Sequence, residues 1–277
     1  MSRKSLSIHL IRVILAVAIL AATGFLRVPT AYAGDGDDND ETYPEAGAVG
    51  MGDYNNDGDY KDDNDLQYAV QSAYEFYFEL CYYGPGWTPR FCETGMSAHE
   101  EQFKRESYGG LDSTHADACD ICWFQGHSND WAKPQLTLSF VNTAYDDKFL
   151  EYFEARWGDW DAEWMLIHTC KLFHSDYRYY WSAARYCHLI CSASTNMLDS
   201  NDGEVVAERL IDSGANDVAY TVKSSWFYGL NWRQHFVTLY VMGENQECGN
   251  DYIWGQGQVC ADPPRDTTYY YWTYFCW

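Results

Sequence analysis

Two short apolar segments of the chain each end at a residue whose side chain can take part in covalent chemistry. Residues 121–126, Ile-Cys-Trp-Phe-Gln-Gly, lead to His127, and residues 164–169, Trp-Met-Leu-Ile-His-Thr, lead to Cys170. An imidazole can take the proton of a thiol, and the thiolate that remains is a strong nucleophile. The two residues are therefore a candidate base and nucleophile for attack on a carbonyl carbon.

Secondary structure elements have to bring these two residues together. Short apolar runs without polar alternation are typical of parallel strands that are buried on both faces. The loops at the carboxyl ends of such strands form the ligand crevice of an open α/β sheet, so two neighbouring strands would place imidazole and thiol within reach. The sequence does not show whether these two strands are neighbours.

Along the whole chain, apolar runs alternate with helical patterns, which predicts an α/β domain with a mostly parallel central sheet. Further extended or apolar segments are expected at 46–51, 136–141, 187–193 and 269–277. Helices are expected at 66–82, 98–106, 146–155, 180–186 and 204–212, with other elements at 219–226 and 236–242. In the first helix the predicted core-facing stripe recurs at helical spacing and consists of Leu66, Val70, Ala73 and Tyr77.

The segments around His127 and Cys170 resemble the caspase, gingipain and legumain group of cysteine peptidases. In that group one apolar strand ends in His-Gly and a later one ends in Ala-Cys or a close variant. The pattern looks most like an uncharacterised family of secreted bacterial proteins with an Asp-x-Glu-Trp lead-in, which residues 161–164 match. The resemblance covers about residues 119–198 and implies a caspase-like three-layer sandwich.

The resemblance also implies roles for individual residues. His127 would be the base and Cys170 the nucleophile of a cysteine endopeptidase that acts on a protein or peptide substrate and requires no cofactor. The backbone N–H groups of Ser128 and Cys170 would hold the oxyanion. Candidates for the substrate pocket follow the next apolar run: Ser192, Ser194 and Asn196.

The chain contains ten cysteines, and in an exported protein, as the N-terminus described next predicts, this number favours disulfide bonds. Cys81 and Cys92 flank one turn-rich segment, and Cys248 and Cys260 flank a Gly-rich one, so these two local bridges are predicted. The remaining pairing is open. If all ten cysteines pair, Cys170 is structural, and the protein is a non-catalytic extracellular binding or structural protein of the same fold.

The N-terminus predicts export. Two basic residues precede an apolar core at 13–22, and Ala31-Tyr32-Ala33 offers small residues at the positions that signal peptidase inspects. Residues 1–33 are therefore predicted to be a signal peptide and the protein to be secreted and extracellular, with a retained membrane anchor as the alternative. Residues 34–46 are predicted to be an acidic mobile arm and residues 47–277 a single domain.

The charge of the chain argues against nucleic acid as a partner. The net charge is −23, and without the four basic residues of the first 33 it becomes −27, from 14 basic and 41 acidic residues. Such a chain is repelled by a phosphate backbone. No membrane contact is expected after removal of the signal peptide, because no later segment is long and apolar enough to span a bilayer.

The acidic loop at 53–65 predicts a calcium site. Asp53, Asn55, Asp57 and Asp59 supply oxygen atoms at the alternating positions of an EF-hand-type loop, with Gly58 at the sharp turn. The twelfth position is Asn64, so the bidentate carboxylate of such loops is missing. The alternative is a solvated loop between the first strand and its helix.

Two weaker patterns complete the candidates. His168, Cys170 and His174, with His127 as a fourth ligand, form a conceivable zinc site, although the favoured interpretation of His168 is a packed or hydrogen-bonded strand residue. The aromatic residues at 269–277 predict a terminal strand that packs on both sides. The alternative is an exposed surface that stacks on sugar rings or hydrophobic peptide.

Overall fold

The computed structural model describes residues 43–54, 65–128, 137–142, 148–176, 178–183, 187–211, 218–261 and 269–277. All of them belong to one compact unit, Gly34–Trp277. The predicted signal peptide and most of the predicted acidic arm lie outside the described residues. Within the part of the chain that is described, no helix is both long and apolar enough to cross a membrane.

A seven-stranded sheet forms the centre of the protein. Its strands are β1 (Glu45–Gly50), β2 (Thr88–Thr94), β3 (Ile121–Gln125), β6 (Trp164–His168), β7 (Leu189–Ala193), β8 (Val237–Gly243) and β9 (Tyr270–Cys276). The spatial order is β2-β1-β3-β6-β7-β8-β9. The first five strands in this order pair in parallel, and β8 and β9 continue the sheet antiparallel. The prediction of an α/β fold with a mostly parallel sheet is thus confirmed.

The central strands are mostly apolar because both faces of the sheet are covered. Every residue of β3 and β6 is buried. Alternate side chains point to opposite faces, so Trp123 and Leu166 enter one core whereas Phe124 and Ile167 enter the other. Burial of each such side chain contributes about 1.5–3 kcal/mol to stability.

Three helices cover the first face: α1 (Ala69–Phe78), α2 (Asp202–Leu210) and α3 (Val222–Leu230). Phe76 of α1 stacks on Trp123 with ring centroids 5.0 Å apart, and Trp226 of α3 lies 5.9 Å from the same ring. Irregular chain with short 3₁₀ turns covers the second face, where Phe103, Phe140 and Trp157 are buried.

The buried face of α1 differs from the predicted stripe. Ala69, Ser72, Ala73 and Phe76 are buried. Of the predicted stripe, Ala73 is thus buried and Tyr77 is partly buried against the same core. Helix α2 crosses α1 closely at Ser72, so this side of α1 is buried. A Cβ atom on Gly203 of α2 would lie only 2.1 Å from the Ser72 carbonyl oxygen.

Several predicted helices are not helical in the described residues. Residues 149–151 of the segment 146–155 form β5 (Phe149–Glu151), which pairs antiparallel with β4 (Thr137–Ser139). Leu150 is buried between two half-buried neighbours, which is the alternation of a strand. The segments 98–106 and 180–186 contain only single 3₁₀ turns.

The first strand begins earlier than expected, whereas the last strand packs as predicted. Strand β1 begins at Glu45, inside the predicted arm, because the Glu45 N–H donates to Asp120 at 2.6 Å and its carboxylate pairs with Arg90 at 3.2 Å. Strand β9 packs on both sides as predicted, since Trp272 and Tyr274 contact the first core and Tyr271 the second. It is an edge strand, and Tyr270 and Phe275 are exposed.

All ten cysteines lie within the described residues, and none is bonded to another. The two predicted bridges are therefore not formed in the structure, although the spacing did identify neighbours. Burial and the nearby Cys92 raise the pKa of the Cys81 thiol to about 12. The Cys248 and Cys260 sulfur atoms lie within 4.8 Å of each other, and both cysteines are free.

Candidate functional site

Strands β3 and β6 are parallel neighbours, which is the condition that the sequence left open. Gln125 lies opposite His168 in the register of the pair. His127 and Cys170 each come two residues later, so both leave the carboxyl edge of the sheet at the same level. The Gly126 N–H donates to the His168 carbonyl at 3.2 Å and extends the pairing toward them. The fold thus brings the predicted base and nucleophile to one site.

Tyr54 is a site residue that the sequence did not reveal. Its hydroxyl accepts a hydrogen bond from the His127 backbone N–H at 2.6 Å and donates to the Ser139 carbonyl at 3.3 Å. The centroids of the Tyr54 and His127 rings are 4.7 Å apart. Desolvation raises the pKa of Tyr54, and the nearby Cys170 adds to this rise, so the phenol stays neutral. Tyr54 thus contacts His127 and lies near Cys170.

The Cys170 thiol is half-buried and contacts the loop that follows β7. The Met197 backbone N–H donates to the Cys170 sulfur at 3.3 Å, and the thiol lies 3.7 Å from the Met197 carbonyl oxygen. A hydrogen bond donated to sulfur stabilises the thiolate relative to the thiol. The loop after β7 therefore holds the Cys170 sulfur through both backbone groups of Met197.

The backbone on either side of the Cys170–Lys171 peptide is held firmly. Ser128 Oγ donates to the Cys170 carbonyl at 2.5 Å, which ties the two strand ends together. Lys171 has a φ of 55°, a left-handed conformation that is uncommon outside glycine. The Lys171 N–H donates to the Thr195 carbonyl at 2.9 Å. Backbone strain of about 1–3 kcal/mol of this kind persists where the surroundings impose it, and it concentrates at functional sites.

The three predicted pocket residues occupy different environments. Ser192 is fully buried within β7, where its carbonyl accepts a hydrogen bond from the Trp226 indole at 3.1 Å. Ser194 is half-buried, and its N–H donates to Thr238 at 2.9 Å. Asn196 is exposed. Only Ser194 and Asn196 can therefore reach a ligand at the sheet edge.

His168 lies beneath the site in a buried polar network. Its Nε2 is 2.9 Å from Oδ2 of Asp202, which also accepts hydrogen bonds from Ser200 at 2.6 Å and Gln234 at 2.7 Å. Burial opposes ionisation of Asp202, but the hydrogen bonds from His168, Ser200 and Gln234 outweigh it, so the pKa of Asp202 is lowered. His168 is thus a hydrogen-bonded strand residue.

The zinc alternative finds no support around Cys170. Across the described residues, the His, Cys, Asp and Glu side chains close enough together to hold a metal ion form one group, which lies elsewhere. That group includes none of His127, His168, Cys170 or His174. His174 lies in a turn and is 3.7 Å from Asp176.

The predicted calcium loop is described only at its base. Asp53 is buried, whereas Asn55, Asp57 and Asp59 lie outside the described residues. The loop is closed by the Leu66 N–H, which donates to Gly52 at 2.8 Å, and by the Tyr54 N–H, which donates to Asp65 at 2.8 Å. Calcium binding stays a prediction.

The fold and the site define an α/β protein in which a histidine and a cysteine leave adjacent parallel strands of a mostly parallel sheet. Residues 50–274 match the family described as Domain of unknown function (DUF6345), and the chain belongs to that family. The match includes all the residues of the candidate site. No curated protein matches the chain.

Proposed function

We propose that the protein is a secreted cysteine endopeptidase of caspase-like fold that acts through His127 and Cys170. The observation that carries the proposal is the adjacency of β3 and β6, whose register places both residues two positions beyond a matched pair. The Met197 N–H on the Cys170 sulfur and the left-handed backbone at Lys171 support it further.

The proposed reaction is acyl transfer followed by hydrolysis. The His127 imidazole takes the proton of Cys170, and the thiolate attacks the carbonyl carbon of a peptide bond. The backbone N–H groups of Cys170 and Ser128 would hold the oxyanion of the tetrahedral intermediate. The imidazolium then protonates the leaving amine, and water hydrolyses the thioester to release the acid and restore the thiol.

Secretion is part of the proposal and rests on the N-terminal sequence. An oxidising compartment allows neighbouring thiols that bind no metal ion to form disulfides, so Cys81 and Cys92, which lie close together, are the proposed bridge in the exported protein. The acidic loop at 53–65 is proposed to be stabilised by calcium, with no role for the ion in the reaction.

A second candidate function is binding without catalysis, and one surface favours it. Phe236 and Trp277 are 76% and 83% exposed, and Phe275 lies 4.9 Å from the Trp277 ring. The Phe236 N–H donates to the Cys276 carbonyl at 2.9 Å, so these aromatic residues are neighbours at one end of β8 and β9. Such rings can stack on sugars or hydrophobic peptide.

Thiol mapping of the mature protein, residues 34–277, tests the peptidase proposal. Alkylation without reductant at neutral and mildly acidic pH, followed by mass spectrometry, is expected to label Cys170 preferentially and to retain that label at the lower pH. The His127→Ala variant should lose the preference, whereas His174→Ala, which changes a histidine in a nearby turn, should keep it.

A peptide library then provides the functional readout. Cleavage that the wild type catalyses and Cys170→Ala abolishes, while Cys81→Ala retains it, supports the endopeptidase. Recovery of Cys170 in a disulfide, or equal reactivity of Cys170 in wild type and His127→Ala, contradicts the proposal and leaves the binding function.

A further inference from the structure

Four potential metal ligands converge at the opposite edge of the sheet from Cys170. They are His188, Cys248, Asp251 and Cys260, and their ligand atoms all lie within 4.8 Å of one another. His188 Nδ1 is 3.6 Å from the Cys260 sulfur and 2.8 Å from Oδ2 of Asp251, and that oxygen is 3.7 Å from the same sulfur.

Two of these separations match the edges of a tetrahedral zinc site. Bonds of about 2.3 Å to sulfur and 2.0–2.1 Å to nitrogen or oxygen place neighbouring ligand atoms about 3.4–3.8 Å apart. Both separations that involve the Cys260 sulfur already fall in this range. The shorter His188–Asp251 separation is a hydrogen bond, which has to lengthen by about 0.6 Å to admit an ion.

The site is closed and almost dry. His188, Asp251 and Cys248 are at most 2% exposed, and Cys260 is half-buried. Two thiolates with one imidazole suit zinc better than calcium or magnesium, which prefer oxygen ligands. Four protein ligands leave no open position, which is typical of structural and not catalytic zinc.

Neighbouring groups orient the aspartate as outer-shell partners of a metal ligand do. The Cys260 N–H donates to Oδ1 of Asp251 at 2.8 Å, and the Trp164 indole N–H donates to Oδ2 at 3.4 Å. Such partners fix the direction in which a ligand points. One carboxylate oxygen is thus held by the backbone while the other faces His188 and Cys260.

The position of the cluster indicates what a metal would stabilise. His188 immediately precedes β7, whereas Cys248, Asp251 and Cys260 all belong to the long connection between β8 and β9. The Val222 N–H, at the start of α3, donates to the Asp251 carbonyl at 2.8 Å. An ion at this point joins the amino edge of the sheet, the long connection and α3.

We propose that His188, Cys248, Asp251 and Cys260 bind one zinc ion as a structural site. On binding, both thiols lose their protons to solvent, and three anionic ligands surround the dication. The proposal is independent of the peptidase function, because the site lies at the other edge of the sheet. A Cys248–Cys260 disulfide is the competing state, but it gives no reason for His188 and Asp251 to face the two sulfur atoms.

The test measures the metal content of the mature chain, residues 34–277, purified without chelator. Elemental analysis is expected to find one zinc ion per chain, and both Asp251→Asn and Cys260→Ser should lose it. Cys92→Ser, a cysteine outside the cluster, should retain it. Cobalt(II) added to the metal-depleted protein should give the visible absorption of a tetrahedral thiolate site.

Two further results distinguish a zinc site from four side chains that only pack together without a metal ion. Trp164→Phe keeps all four ligands and removes one outer-shell hydrogen bond, so it should lower zinc affinity by about 10–100-fold. Zinc should also raise the melting temperature of the wild type but not of Asp251→Asn. A Cys248–Cys260 disulfide in peptides from the non-reduced protein overturns the proposal. Reduced thiols that take up neither zinc nor cobalt also overturn it.

Discussion

Tyr54 joins the acidic loop to the ends of β3 and β6. Its hydroxyl accepts the His127 N–H, its own N–H donates to Asp65, and its ring lies against the His127 imidazole. The orientation of the proposed base therefore depends on a residue from a distant part of the chain.

Removal of the Tyr54 hydroxyl should affect both stability and reactivity. Tyr54→Phe leaves the His127 N–H without its acceptor, which is expected to reduce the free energy of unfolding by about 1–3 kcal/mol. The rate of Cys170 alkylation should fall with it, because the imidazole is less well oriented. Urea unfolding and timed alkylation measure the two effects. Tyr82→Phe is the control, since Tyr82 is 64% exposed, and equal behaviour of the two variants would contradict this role for Tyr54.

Among the secondary structure elements, the β3–β6 pair does most to form the site, and its close packing depends on Gly126. A Cβ atom at Gly126 would lie 2.7 Å from the Phe124 ring and 2.9 Å from the Tyr54 hydroxyl oxygen. Both separations are far shorter than an ordinary van der Waals contact. A residue without a side chain is therefore required between β3 and His127.

Gly126→Ala should displace Tyr54 from the strand end. Overpacking of this kind is expected to reduce the free energy of unfolding by about 1–3 kcal/mol, measured by urea denaturation. Ser107→Ala, at an exposed position, should change it by less than about 0.5 kcal/mol. If Gly126→Ala were as stable as wild type and Cys170 were alkylated at the same rate, the close contact between Tyr54 and residue 126 would not be required for either property.

At the scale of the whole molecule, buried carboxyl groups make stability depend on pH in two opposite ways. The lowered pKa of Asp202 contributes stability above about pH 4 that is lost as the pH falls through its folded-state pKa. Burial, reinforced by Asp159 and Glu106, raises the pKa of Asp112 to about 8 despite the hydrogen bond from the Ser113 N–H. Between about pH 4 and 8 the folded state therefore keeps a proton that the unfolded chain has lost, so stability falls as the pH rises.

Asp112→Asn should remove most of this second effect. The variant is expected to be more stable than wild type at pH 8 and to differ little from it near pH 4, because only ionised Asp112 is penalised by burial. Urea unfolding at both pH values measures the change. Asp176→Asn, whose side chain is 69% exposed, removes the same formal charge and should shift stability only slightly at either pH. If Asp112→Asn changed the free energy of unfolding equally at both pH values, the cause would not be the ionisation of Asp112.

The sequence alone determined the features that depend on local pattern. The strands that end before His127 and Cys170 could be predicted because a strand covered on both faces is apolar at nearly every position. The helix at 202–210 and the sheet strands at 45–50 and 189–193 follow from similar local signals. The helix predicted at 146–155 was wrong. The side chains of this segment fit a helix or a strand, and pairing with β4 makes residues 149–151 a strand.

Only the tertiary structure decided which elements are neighbours. The adjacency of β3 and β6, the contact of Tyr54 with His127 across 73 positions, and the approach of His188 to Asp251 across 63 positions all depend on strand order and packing. The Cys248–Cys260 spacing predicted two neighbouring sulfur atoms, but not the imidazole and carboxylate that face them. Such contacts form between residues that are far apart along the chain, and no local pattern in the sequence encodes them.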